Sequence, residues 1–259
     1  MFHLKKLIRV EHIKSFYMVL SSNSLFHFTS KIDYLEDILT NGFWPRYCRE
    51  YGWGGNFDFA LPMVCFCDIP LSQIKEHVKF YGEFGIGVSK NWVKNYKTIS
   101  PVQYIASSSD EFNHITRLIT LLKNQEIDNV SLCKLARAKK VAGKTDNKKG
   151  ECKNKKFYDE KEWRYIPDSQ KLSELVLAIK KKDVFDSNEA SRITEKCKLA
   201  VNFDDILYIL IPNKNYIPKI IEIIKSVIQK KVRATKERDE ILLNLSSKIL
   251  RVDQILHDF

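Results

Sequence analysis

The sequence predicts an α+β protein folded as one domain. Three observations carry that expectation. Strand-like and helix-like stretches are mixed along the chain without the regular strand–helix–strand spacing of a doubly wound sheet. Hydrophobic residues make up 44% of 259, enough for a substantial core and too many for a disordered chain. No internal repeat or clear linker divides the chain, so residues 1–259 read as a single domain with a compositionally distinct basic segment near 134–156.

Each element follows from local pattern. Leu4, Leu7, Ile8, Ile13 and Phe16 recur at helical spacing, which predicts an amphipathic helix over residues 1–20. LFHFT at 25–29 reads as a short strand. Ser30 is the expected N-cap of a helix over 31–40, closed by Asn41-Gly42. Residues 43–60 are rich in aromatics and glycine and read as a long binding or packing loop. LPMVCFCD at 61–68 predicts a buried strand, and Pro70 starts a helix running to Tyr81.

FGIGVS at 84–89 predicts a strand whose glycines mark close approach of a ligand or another backbone. A short helix at 90–96, a strand at 101–106 and a longer helix at 108–125 follow. Within 126–156, Leu132, Leu135 and Ala136 fit a helix and the run KTDNKKGECKNKK at 144–156 reads as a mobile basic loop; 174–179 fit strand or helix. DDILYILIP at 204–212 is a strand and 217–232 a helix; residues 249–259 form a short strand and final helix.

The formal net charge is +11, concentrated around 134–156 and 225–236. Such a surplus points to a polyanionic partner, most often nucleic acid, or to a solubilising surface. No zinc finger, basic zipper, P-loop or dinucleotide fingerprint accompanies it. The six cysteines lack the paired spacing of a zinc site and read as free thiols, so no metal is expected. No apolar run reaches the roughly 20 residues of a membrane helix. The N-terminus lacks the uninterrupted apolar core of a signal peptide. A cytoplasmic location without membrane contact is the expectation.

The most unusual stretch is FYDEKEWRYI at 157–166. Its aromatics favour a strand. On a strand, Glu160 and Glu162 would project from the same face, with Lys161 pointing away. Two adjacent carboxylates are costly unless paired or used. The bland reading is an edge strand whose acids meet basic neighbours, including Arg164. The functional reading is an acid pair in a site.

LFHFTSKIDYLEDILTNGFWPRY, ALPMVCFCDIPLSQIKEHVKFYGEFGIGVSKNW, SPVQYI, FYDEKEWRYIP, FDDILYILIP and SKILRVDQILHDF together resemble the AbiGi family of bacterial abortive-infection proteins. The resemblance implies a role in phage resistance through a toxin–antitoxin system, with an antitoxin or regulatory protein as partner. The same segments more distantly resemble the ADP-ribosyltransferase fold. That likeness implies two small antiparallel sheets with flanking helices, holding NAD as a substrate in the cleft between them.

On that likeness, the order His27, Tyr81 or Ser89, then Glu162 matches a first-strand His, a middle motif and a late Glu, with Glu160 completing an E-x-E pattern. Glu162 would stabilise the cation that develops on ribose, and Glu160 would orient or deprotonate the acceptor. Tyr81 would offer its ring to the cationic nicotinamide. His27, Phe28 and Thr29 would bind ribose, and Arg46 or Arg49 the pyrophosphate. The expected activity is an NAD-dependent ADP-ribosyltransferase toxin modifying nucleic acid, RNA over DNA or protein. The alternative is an inactive antitoxin or sensor module that kept the fold.

Overall fold

A computed structural model describes residues 22–53, 57–122, 137–146, 152–167, 177–178 and 194–258. The helix expected over 1–20 lies outside them. Strand β1 (Ser24–Thr29) is followed by helix α1 (Ile32–Asn41), which buries Leu35, Ile38 and Leu39. Lys31, not Ser30, is the N-cap and makes no side-chain cap. The C-terminal expectation holds: Gly42 takes φ +83° and donates its N–H to Ile38 O. A Cβ there would stand 2.5 Å from Leu199 O, so both conformation and space require glycine.

The stretch expected to be a loop at 43–60 instead supplies β2 (Arg46–Trp53) and the start of β3 (Phe57–Cys67). The two form an antiparallel hairpin with Arg46 opposite Met63 and Cys48 opposite Leu61. The aromatic residues of both segments favour extended backbone, and the ladder between them outweighs the glycines that suggest a loop. After a 3-10 turn at Leu71–Gln73 come α2 (Lys75–Tyr81), β4 (Phe84–Ser89) and α3 (Lys90–Lys94). The predicted strand at 101–106 is two short ones, β5 (Ile99–Pro101) and β6 (Gln103–Ile105), ahead of α4 (Asp110–Leu122).

The basic segment is not simply a loop. It contains β7 (Ala138–Lys140), parallel to β6, and an antiparallel ribbon of β8 (Ala142–Asp146) and β9 (Cys152–Lys156). The continuous strand expected at 157–166 is divided as well. Phe157–Glu160 form a 3-10 turn, Lys161 adopts a left-handed conformation with φ +43°, and β10 covers only Glu162–Tyr165. Further on are β11 (Leu177–Ala178), β12 (Ile206–Ile211), α5 (Ile217–Lys231), α6 (Thr235–Ser247), β13 (Ile249–Arg251) and α7 (Val252–Asp258). Helix α6 was not anticipated; its faces carry no clear apolar stripe.

Among the described residues the main sheet has nine strands, in the order β13-β12-β4-β1-β3-β10-β5, with β2 and β11 also pairing with β3. All its pairs are antiparallel except β12 with β13. Two antiparallel groups are therefore joined through β3, whose first half holds β2 and β11 and whose second half holds β1 and β10. Helices α1 and α5 cover one face over Leu25, Ile86, Ile209, Ile220 and Ile224. Helices α2 and α7 cover the other over Phe26, Phe28, Val78, Leu210 and Val252. The β4 glycines serve this packing, since a Cβ on Gly87 would lie 2.7 Å from the Phe26 ring.

Candidate functional site

Strand β1 registers with β3 at one pair, Phe26 opposite Cys67. Beyond it, β1 continues along β4 alone, and the His27 Nδ1 atom bridges to Cys65 O at 2.9 Å. Two adjoining cavities occupy this parting of the sheet. The outer one, about 780 Å³, is lined by residues that include Thr29, Tyr34, Trp44, Arg46 and Tyr47. The inner one, about 230 Å³, has aromatic walls of Phe26, Phe28 and Phe66 and a charged floor. His27, Cys48, Met63, Cys65 and Tyr81 line both.

The floor is an acid pair held by three cations. Glu162 Oε1 accepts from Arg164 Nε at 2.8 Å. Its Oε2 accepts from Lys139 Nζ at 2.7 Å and from the Arg164 terminal nitrogen at 3.4 Å. Glu160 Oε1 accepts from the Tyr81 hydroxyl and pairs with Lys155. Its Oε2 pairs with Lys139 at 3.3 Å. Glu160 and Glu162 are 4% and 6% exposed and Arg164 1%, so this is an interior cluster. Arg164 stands two residues from Glu162 on the same strand face, so the pairing anticipated between them is made within β10.

Burial alone would raise the Glu162 carboxyl, but Arg164 and Lys139 override it and hold it well below the usual carboxylate range. Glu160 is likewise lowered, by Lys139 and Lys155 against the effect of burial. Burial, then Glu160, pushes the Tyr81 phenol far up, so it remains a donor. Burial drives His77, whose ring is tilted against Tyr81 with centres 4.8 Å apart, down to about 4. It also lowers His27, so both rings are neutral at pH 7.

The structure brings most of the expected residues together. His27 and Tyr81 line both cavities, Phe28, Glu160 and Glu162 the inner one, and Thr29 and Arg46 the outer one. The geometric reason for the acids' convergence differs from the expectation. They do not share a strand face; the left-handed turn at Lys161 carries both toward Lys139. Arg46 stacks its guanidinium 4.5 Å from the Trp44 ring. Arg49 lies on β2 opposite Ala60. Ser89 stands apart and serves as N-cap of α3, accepting from Trp92 N–H at 3.1 Å.

Three residues in the cluster were not singled out as site residues: Lys139, Lys155 and Arg164. Lys155 Nζ also lies 4.1 Å from the centre of the Tyr81 ring and 3.6 Å from that of Phe80. The cation expected over Tyr81 is thus supplied by the chain itself.

A family model described as "Putative abortive phage resistance protein AbiGi, antitoxin" matches residues 41–212. That span includes the whole charged floor, while Phe26, His27, Phe28 and Thr29 of the cavity walls lie before it. The chain belongs to the AbiGi family. An abortive phage resistance protein AbiGi of Lactococcus lactis subsp. cremoris is 33% identical over 231 residues, covering 78% of this chain and 90% of that relative. No solved structure matches the chain. The AbiGi match runs from the end of α1 to just past β12, so α5, α6 and α7 lie beyond it.

Proposed function

We propose that this AbiGi chain is a non-catalytic, antitoxin-type component of an abortive-infection system, acting through a protein partner. One observation carries the reading. All four oxygens of Glu160 and Glu162 are engaged by the chain's own donors: Lys139, Lys155, Arg164 and Tyr81. A carboxylate stabilises a developing ribose cation best when its charge is not already neutralised by fixed cations. Here each oxygen already has a cationic or hydroxyl partner, and a Tyr81 ring face is met by Lys155. The family description, which includes the word antitoxin, supports the same reading.

A second reading, an NAD-consuming ADP-ribosyltransferase acting on nucleic acid, draws support from a different observation. His27, Tyr81 and the pair Glu160 and Glu162 converge on one cleft from three separated segments. Catalysis on that reading requires Lys139 and Lys155 to leave the acids when substrate enters. Growth separates the two. Expression of the wild type alone should leave bacterial growth unchanged, as should Glu162→Ala. Arrest by the wild type, relieved by a Glu162→Ala variant that circular dichroism shows to be folded, would favour the enzyme reading.

A further inference from the structure

One cation of the floor, Lys155, is carried by the β8–β9 ribbon. Among the described residues this ribbon pairs only with itself and adds no strand to the main sheet. A two-stranded ribbon is marginally stable alone, so its seat depends on what its side chains reach. Gly143 and Lys155 are directly opposed and share a face. That face is the inner one: a Cβ on Gly143 would stand 3.2 Å from the Phe157 ring, and Lys155 reaches Glu160. Asn154 and Lys156, on either side of Lys155, are exposed.

The Lys155 ammonium sits in a corner built for a cation. Its Nζ lies 3.6 Å from the centre of the Phe80 ring and 4.1 Å from that of Tyr81. The two rings meet at 66° with centres 4.8 Å apart, so they form two walls. Glu160 is the third wall, and with Tyr81 it also lines the inner cavity. Ring faces attract a cation and the carboxylate accepts an N–H, a combination that a primary ammonium meets and a quaternary one does not. Lys155 is also the cation that the cluster can release. Among the described residues the floor sets three cations, Lys139, Lys155 and Arg164, against two carboxylates. Without Lys155, Glu160 keeps Lys139 and the Tyr81 hydroxyl, and Glu162 keeps Lys139 and Arg164. Burial lowers the Lys155 ammonium below the usual lysine range, so its charged form is held there against desolvation.

We propose that the corner of Phe80, Tyr81 and Glu160 is a binding site for a primary alkylammonium group, with Lys155 as its tethered occupant, displaced when the ribbon lifts. The exchange replaces one ammonium by another, so the charge balance of the floor is unchanged. Binding requires no chemistry at the acids, so the site stands apart from both readings of the cleft. A free small amine and a lysine side chain of a protein partner both present this group.

The test follows hydrogen–deuterium exchange in the full wild-type chain with n-butylammonium chloride, against sodium chloride of equal concentration. The amine should speed exchange in β8 and β9 about threefold or more and leave β1, β4 and β12 unchanged. Calorimetry on Lys155→Ala, shown to be folded by circular dichroism, should give n-butylammonium an affinity about tenfold or more above that of the wild type, because the tethered competitor is gone. Lys155→Arg should behave as the wild type, and 1-butanol should bind neither. Nα-acetyl-lysine N-methylamide binding more tightly than n-butylammonium would support a partner's lysine as the source, and the reverse order a free amine. Ribbon exchange in the wild type that ignores the amine would overturn the proposal, whatever the variants do. So would 1-butanol binding as tightly as the amine, or equal amine affinity in the wild type and Lys155→Ala.

Discussion

At the scale of single residues, Glu162 has the most to lose. Its charge is buried and balanced by Arg164 and Lys139. Removing one member of such a cluster strands the others without compensation. Glu162→Gln should therefore destabilise the fold by about 3–5 kcal/mol in urea denaturation. By contrast, Lys156→Gln, which breaks an exposed pair, should cost less than about 1 kcal/mol. Equal losses in the two variants would show that the cluster is not a closed interior network.

The same residues set a pH dependence. The folded-state pKa of His77 is near 4, below the unfolded value of about 6.5. The unfolded chain therefore takes up this proton first, and stability falls as pH drops from about 6.5 toward 4, by up to ~3 kcal/mol. His27 acts in the same direction, since burial lowers it too. Glu160 and Glu162 are depressed, so their contribution is present above the unfolded carboxyl value of about 4.3 and is lost below it. Urea midpoints between pH 7 and 4 should fall for the wild type and fall less steeply for His77→Phe. An unchanged slope in the variant would assign the effect elsewhere.

At the scale of elements, the left-handed residue between the 3-10 turn and β10 is what delivers both acids to one place. Lys161 holds φ +43°, a conformation that costs a side-chain-bearing residue roughly 1–2 kcal/mol. Lys161→Gly should be neutral or stabilising by up to about 1 kcal/mol, because glycine adopts this conformation without that cost. Lys161→Pro fixes φ near −65°, removes an N–H that bonds Tyr158 O, and should destabilise by about 3 kcal/mol or more. Thermal unfolding of the two variants checks both signs.

This turn also marks where the sequence ceased to be a guide. The aromatics of FYDEKEWRYI suggested one strand, and the two acids were correctly expected to meet, but through strand alternation. A single φ sign change achieved the meeting instead, and nothing in the residue type of Lys161 signals it. The pairing of β2 with β3 was hidden by the glycines of this stretch, which read as loop; Gly52 itself lies within β2. Lys139 and Lys155 were concealed by their company: inside a run of lysines, the two that turn inward resemble those that face water. Alternation around Gly143 was the available signal. By contrast, β1, β4, β12, α1 and α5 were legible because each buries a clear apolar face. His27 and Tyr81 stood out only through the order His–Tyr–Glu that resembles the ADP-ribosyltransferase pattern, and the acids through their closeness in sequence.

At the scale of the whole molecule, the architecture is a sheet parted between β1 and β3, with a cleft at the parting and a basic ribbon against its floor. AbiGi membership places the molecule in phage resistance. No helix among the described residues is long and apolar enough to cross a membrane. The cleft is large enough for a nucleotide-sized ligand, and its outer part carries Arg46 and Trp44. Its inner acids are closed off by the ribbon's own lysine and by Lys139. A cleft of this form suits a component that binds or is bound, and it suits transfer chemistry only after rearrangement.

The most direct test incubates the purified full chain with NAD labelled on its adenylate, together with separate pools of RNA, DNA and protein. Nicotinamide release and label transfer are both read. The occupied acid pair predicts neither above the level of a Glu162→Gln control. Release or transfer by the wild type that the control lacks would contradict it, and would show that Lys139 and Lys155 yield the acids to substrate.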